Sequence, residues 1–376
     1  MKQDCVEDFL SLKNPTGRWS ALGPYYAMFP RKFTVEVIQE FTTAGDAVLD
    51  PFAGRASNIF AAASIGRYAC GVEINPVGWL YGHVKLQPAK ELNVLRRAEE
   101  IASVANSCPG DKIKKLPPFF QYCYCDEVLR YLITAREELR WKTSIVDGTL
   151  MALMLVDLHG RRGSSLSNQM RQSKSMAPDY SVRWWRERGM SPPSINPLSF
   201  LTKKIRWRYA KGITKFRDRA VVFSGDSTNI IPALAWRKNR VSRRQFDLLF
   251  TSPPYYKLTN YHYDQWLRLW MLGGSAYPLW YPGTSTNKFE NKLNYSNLLA
   301  SVFSASTSLL KEQACIYVRT DARKFTYETT LKILRDVFPN KSIQERRSPV
   351  SKYTQTALFG DKTLKPGEVD LILSPR

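Results

Sequence analysis

Cysteine and histidine are scarce in this chain. Six cysteines in 376 residues exclude a disulfide scaffold. Cys123 and Cys125 lie one residue apart with no second pair at metal spacing, and the three histidines are His83, His159 and His262, so no zinc site is expected. No apolar run reaches the roughly 18 residues that a membrane-spanning helix needs. The first eight residues lack the charged start and apolar core of a signal peptide, and the expected location is the cytoplasm. Acidic residues are also short: 33 Asp and Glu stand against 55 Lys and Arg, a net charge of +22. Such an excess favours a polyanionic partner, because neutralising phosphates releases condensed counterions.

A hydrophobic content of 44% with 23% charged residues is that of a globular protein with one large core or two ordinary ones. Phe246 to Phe250 puts four apolar residues in five, which predicts a strand buried on both faces of a parallel sheet. Thr251-Ser252-Pro253-Pro254-Tyr255-Tyr256 then stops it. The two prolines lack N–H donors and push the residues before them into extended conformations. The result is a stiff loop at a strand's carboxyl end, where open α/β sheets bind ligands. A Pro-rich turn closing a core strand is the plain alternative.

Residues 1 to 30 read as loop, with turn signals at Asn14-Pro15 and Gly23-Pro24. A helix is expected over Phe33 to Phe41. Ala47 to Asp50 predicts a short strand running into Pro51-Phe52-Ala53-Gly54-Arg55-Ala56-Ser57-Asn58. A helix of small residues follows, then a strand from Tyr68 that ends in Glu73. Strand, tight turn, helix, strand and acid form a nucleotide-binding half of a doubly wound fold, the acid placed to accept ribose hydroxyls. Because no G-x-G-x-x-G is present, a pyrophosphate would be poorly served, and a nucleoside cofactor without phosphates fits better.

Residues 75 to 157 read as mainly helical. From Arg161 to Arg219 the composition shifts to 15 Lys and Arg against Asp179, Glu187 and Asp218. Trp184, Trp185, Trp207, Tyr209 and Phe216 are interleaved with this charge. Basic side chains contact phosphates and rings stack on unpaired bases, although a solvated basic face over tucked aromatics has the same composition. Strands are expected again from Ala220, Ala314, Ile343 and Glu368, a helix over Tyr261 to Leu272, and an aromatic-bearing loop over residues 277 to 292.

Asp50-Pro51-Phe52-Ala53-Gly54 with Glu73, followed by Thr251-Ser252-Pro253-Pro254-Tyr255, resembles the S-adenosylmethionine-dependent DNA amino-methyltransferases. The resemblance implies a doubly wound, mostly parallel α/β sheet, Rossmann-like and of the class I methyltransferase type, with an inserted helical and basic region. The first half of that domain would be residues 1–85, the insertion 86–219 and the catalytic second half 220–376. By the same resemblance Asp50, Phe52, Ala53 and Gly54 form the cofactor turn, Thr251 also binds the cofactor, Glu73 takes the ribose hydroxyls, Asp226 the adenine edge, and the segment from Tyr26 to Phe29 helps hold the methionine end. Ser252, Pro253, Pro254 and Tyr255 resemble the catalytic tetrad, and a leading Ser is usual for enzymes that methylate N4 of a flipped cytosine. Ala56 stands where the family carries a second glycine.

Composition assigns duplex DNA to Arg171, Lys174, Arg183, Trp184, Arg186, Lys203, Arg206 and Arg208. Binding to DNA would give a nucleoid-associated location, and the resemblance leaves open a restriction endonuclease partner in the same system. Cytosine C5 chemistry needs a cysteine nucleophile, typically in a Pro-Cys pair, and no such dipeptide occurs. Adenine N6 in DNA, an amine in RNA, and a binding protein without catalysis remain open.

Overall fold

The computed structural model describes residues 2–24, 29–236, 239–257, 261–278, 291–347 and 367–376. It opens with helices α1 (Lys2–Leu10), α2 (Pro15–Ser20) and α3 (Arg31–Phe41), then strand β1 (Ala47–Asp50), α4 (Ser57–Ser64), β2 (Tyr68–Glu73) and α5 (Pro76–Leu86). Helices α6 (Glu91–Ala105), α7 (Gly110–Lys114), α8 (Pro118–Cys123), α9 (Asp126–Glu138), α10 (Ile145–Asp157), α11 (Pro178–Glu187) and α12 (Pro197–Tyr209) follow before the sheet resumes. The remainder is β3 (Ala220–Ser224), α13 (Ser227–Ala233), β4 (Phe246–Thr251), α14 (Tyr261–Asp264), α15 (Trp266–Met271), α16 (Lys292–Thr307), β5 (Leu310–Asp321), α17 (Lys324–Val337), β6 (Lys341–Arg347) and β7 (Glu368–Pro375).

Among the described residues the strands form one sheet of order β3-β2-β1-β4-β5-β7-β6. Pairing is parallel from β3 through β5, and β7 runs antiparallel between β5 and β6. The fold is therefore the expected Rossmann-like α/β fold. From β1 the chain winds outward through β2 and β3, then returns to lay β4 on the other side of β1. The crevice between β1 and β4 is the topological switch point, where such sheets place their ligands.

Strand alternation divides the core. Val48, Ala69, Val222, Leu248 and Phe250 face one layer, with α3, α4, α5 and the buried sides of α6 to α12. Ala47, Leu49, Cys70, Val72 and Leu249 face the other, against α13, α16 and α17. The insertion thus shares a core with one face of the sheet. Arg183, Arg186, Lys203 and Arg206 lie on the outside of that layer.

Lys2–Leu10 and Pro15–Ser20 are helical where a loop was expected. Asn14 is an N-cap, its side chain accepting from Gly17 N at 2.7 Å, and Pro15 occupies the first helical position. The same dipeptide that marks a turn also starts a helix. The expected helix over Tyr261 to Leu272 is two short helices broken at Gln265 and stopped by Gly273 at φ +102°. Most of the loop expected over 277 to 292 lies outside the described residues.

Candidate active site

Asp50 closes β1 with its carboxylate buried, 1% exposed. Oδ1 accepts from Phe52 N at 3.1 Å and from Thr251 Oγ1 at 2.6 Å, and Oδ2 accepts from Asn58 Nδ2 at 2.9 Å. Asn58 Nδ2 also donates to Phe250 O at 3.0 Å. One carboxylate thus ties the turn after β1 to α4 and to the end of β4. Burial raises its pKa to about 6 against these three hydrogen bonds, which lower it.

The turn bends through left-handed residues. Gly54 has φ +55° and Ala56 has φ +59°, ψ 43°, the second without the glycine that such a conformation favours. Ala56 is fully buried, and its methyl lies 2.7 Å from where a Cβ on Gly82 of α5 would stand. The space that the turn lost is returned by a glycine on the facing helix. Gly78 acts likewise a turn earlier in α5, since a Cβ there would come within 2.7 Å of Gly54 O.

Glu73 ends β2 beside this turn, 8% exposed, with Oε1 accepting from Asn75 N at 2.7 Å. Burial pushes its carboxyl up to about 8, and Asp50 adds to the rise. Asp226 follows β3 and caps α13, Oδ1 accepting from Thr228 N at 2.9 Å and Thr228 Oγ1 at 2.8 Å. The acids thus stand on three successive strand ends, with exposed Ile74 next to Glu73.

A cleft opens at the switch point, lined among others by Phe29, Asp50, Phe52, Ala53, Gly54, Ser252 and Tyr255. Of the residues expected to hold a cofactor, Glu73 and Asp226 stand outside this lining, and Tyr26 lies outside the described residues. Thr251 is fully buried beneath the loop and reaches the cleft only through Asp50. Ser252, Pro254 and Tyr255 are half-buried, and Pro253 is buried.

Ser252 Oγ donates to Tyr255 OH at 3.3 Å, and Tyr255 OH donates to Glu368 Oε1 at 3.2 Å. Burial and the Glu368 charge raise the phenol well above its ordinary pKa. Glu368 Oε2 meets Arg319 Nη1 at 3.2 Å. The Arg319 guanidinium grips Asp370 through two hydrogen bonds of 2.6 and 2.8 Å and lies 3.7 Å from the Phe33 ring centre.

Sequence reasoning missed Arg55, Ser57, Asn58, Arg319 and Glu368, all in the cleft lining. The first three followed the glycine turn and could have been proposed from it. The last two carry no local signal. Three lining residues hold unspent hydrogen-bonding capacity, for Arg55 Nε, Ser57 Oγ and Asn58 Oδ1 are buried without a partner. Buried polar groups are costly unless paired, and here a donor, a hydroxyl and an acceptor gather beside Asp50. That set fits a small zwitterion with an ammonium and a carboxylate.

The residues assigned to DNA divide. Arg183, Arg186, Lys203 and Arg206 are exposed, and Trp184 is half-buried with Arg188 4.4 Å from its ring centre. Arg186 also donates to Tyr122 OH at 2.8 Å. Lys174 meets Asp264 at 3.4 Å, and Arg171 is half-buried with its carbonyl bonded to His159. Arg208 is corrected. It is only 6% exposed and donates to Arg18 O inside the helical layer, out of reach of a phosphate. Trp185 is likewise interior, fully buried with Nε1 donating to Gln169 O at 2.9 Å, and Tyr209 is buried with its hydroxyl on Ala89 O. The loop carrying Arg171 and Lys174 is tied to the segment after the Pro-Pro loop: Gln265 donates to Ser173 O and Ser175 N donates to Asp264 O.

Residues 8–77 match the family model described as DNA methylase. No curated protein matches the chain. Among solved structures, the rRNA methyltransferase AviRa from Streptomyces viridochromogenes is 13% identical, with a TM-score of 0.33 over 95% of this chain and 90% of that one. The precorrin-6y C5,15-methyltransferase from Geobacter metallireducens is 9% identical, with a TM-score of 0.31 over 94% and 95%. Likeness of that degree carries no argument about substrate. The matched segment spans β1, the Asp50 turn, β2 and the start of α5, so the two strands that flank the turn lie in the part that resembles DNA methylases. With the cleft at the switch point, this match supports a methyltransferase that draws its methyl group from S-adenosylmethionine.

Proposed function

We propose that the protein methylates the exocyclic N4 amine of a cytosine flipped out of duplex DNA. The observation that carries this reading is the cleft that Asp50 and Ser252 line together, one on the cofactor turn and the other on the loop after β4. S-adenosylmethionine would supply an activated methyl group. Asp50 and Asn58 Oδ1 would accept its ammonium, Arg55 Nε and Ser57 Oγ would meet its carboxylate, and Glu73 would accept its ribose hydroxyls.

An exocyclic amine conjugated to its ring is a poor nucleophile. The site must favour a tetrahedral nitrogen as positive charge develops on it. Ser252 Oγ and Pro253 O are suited to accept the two amine hydrogens, aligning the lone pair for transfer. Ser252 is too weak a base to remove a proton beforehand, so proton loss follows transfer. The Tyr255 ring offers a stacking face that offsets part of a flipping cost of roughly a few kcal/mol. Arg183, Arg186, Lys203 and Arg206 would meet phosphates, with Arg171 and Lys174 on the loop tied to Asp264 and Gln265.

The test is incubation with mixed-sequence DNA and methyl-labelled S-adenosylmethionine, followed by nucleoside mass analysis. N4-methylcytosine is expected. N6-methyladenine would keep the site chemistry and correct the base, and label in RNA alone would move the substrate. Cofactor binding without transfer to either would refute the catalytic reading.

A further inference from the structure

Ser252, Tyr255 and Glu368 form a file whose hydroxyl protons point one way. Ser252 donates at 3.3 Å to Tyr255, which donates at 3.2 Å to Glu368, and the Glu368 side chain is 46% exposed. Both donations run toward the half-exposed carboxylate of Glu368, which lines the same cleft. With its own proton directed to Tyr255, Ser252 Oγ keeps its lone pairs to accept from an amine in the cleft that it lines. Glu368 is turned to this task from its far side by Arg319, itself clamped by Asp370.

We propose that this file is the exit path for the proton that the methylated amine must shed, with Glu368 as its acceptor and Arg319 as the residue that positions Glu368. The inference rests on the amine-methylation reading above. The amine N–H breaks as an O–H forms on Ser252, the seryl O–H breaks as one forms on Tyr255, and the phenolic O–H breaks as one forms on the Glu368 carboxylate. Ser252 and Tyr255 end as they began. Glu368 ends as a carboxylic acid and releases its proton to water, and nothing is oxidised or reduced. Groups facing the phenol are Ser252, Glu368 and Arg319, with Asp370 behind Arg319 and Asp50 and Arg55 elsewhere in the cleft lining.

The experiment compares the wild type with Glu368→Gln, Glu368→Ala and Tyr255→Phe. Transfer to mixed-sequence DNA is measured together with S-adenosylmethionine binding by calorimetry. Glu368→Gln keeps the contact with Tyr255 but cannot take a proton, and its kcat should fall about 100-fold with KM for DNA and cofactor affinity unchanged. Tyr255→Phe cuts the file at its middle and should fall as far. Added acetate should restore part of the rate to Glu368→Ala and nothing to Tyr255→Phe. As a readout independent of turnover, NMR of ring-labelled tyrosine, assigned through Tyr255→Phe, should show Tyr255 ionising at lower pH in Glu368→Gln than in the wild type. Wild-type kcat in Glu368→Gln would overturn the path while leaving amine methylation standing. A wild type that binds S-adenosylmethionine but transfers nothing to DNA or RNA would instead overturn the reaction, and the path with it.

Discussion

Thr251→Val tests the joint between the two halves of the site. Valine keeps the shape of threonine and removes only the hydroxyl, which donates at 2.6 Å to Asp50 Oδ1 in a fully buried position. A hydrogen bond to a charged group contributes about 1.5–3 kcal/mol, and one between neutral groups about 1 kcal/mol. Which applies depends on pH, because Asp50 titrates near 6 in the folded chain. Its folded pKa lies above the unfolded value, so the folded state holds the proton more tightly. Stability therefore falls as pH rises from about 4 to about 6 and levels off above. Losing the Thr251 donor raises that pKa further and extends the fall to higher pH. The cost of Thr251→Val should be about 2–3 kcal/mol at pH 7.5 and about 1 kcal/mol at pH 5, read from urea midpoints at constant m-value. An equal cost at both pH values would refute the charge assigned to Asp50. A cost below about 0.5 kcal/mol at both would show that the bond does not join β1 to β4.

Glu73, with its carboxyl near 8, is mostly protonated at pH 7, and ribose hydroxyls donating to it would favour the carboxylate. Binding of S-adenosylmethionine at pH 7 should release a proton, seen by calorimetry in buffers of different ionisation enthalpy, and Glu73→Gln should abolish the release. Gly82→Ala sets a new Cβ 2.7 Å from the Ala56 methyl and should cost about 1–3 kcal/mol. Ala56→Gly in the same chain should recover most of that in thermal melts, whereas additive losses would mean that the two positions do not share the space. Charge reversal at Arg183 and Arg186 should weaken DNA binding and lower the log–log salt slope by about one for each phosphate no longer neutralised. An unchanged slope would place the DNA elsewhere.

Strand, turn and acid were legible in the sequence because each depends on neighbours. Ala47 to Glu73 spells its own geometry, and the apolar Phe246 to Phe250 announces a strand buried on both faces, as found. Ala56 could be marked as costly if left-handed, but its compensation by Gly82 could not, because the pair meets only when α5 packs on the turn. Charge and aromatic content outlined the basic region without separating its inside from its outside. Trp184 and Trp185 are adjacent on one helix, and only packing against Phe119 decides that Trp185 is the buried one. Arg208 failed for the same reason. Glu368 was invisible because its role comes from β7 running antiparallel between β5 and β6, which brings the start of a strand to the edge where the other strands end.

The bonds that draw the site together span long stretches of chain. Asp50 to Thr251 closes 201 residues, Asn58 to Phe250 closes 192, and Tyr255 to Glu368 closes 113. Closing such loops costs entropy before any contact repays it, so pairings of this range form late. The cleft therefore cannot exist until β1 and β4 have paired. Ligand binding followed in a refolding experiment would thus report completion of the native sheet, which a helical signal would not.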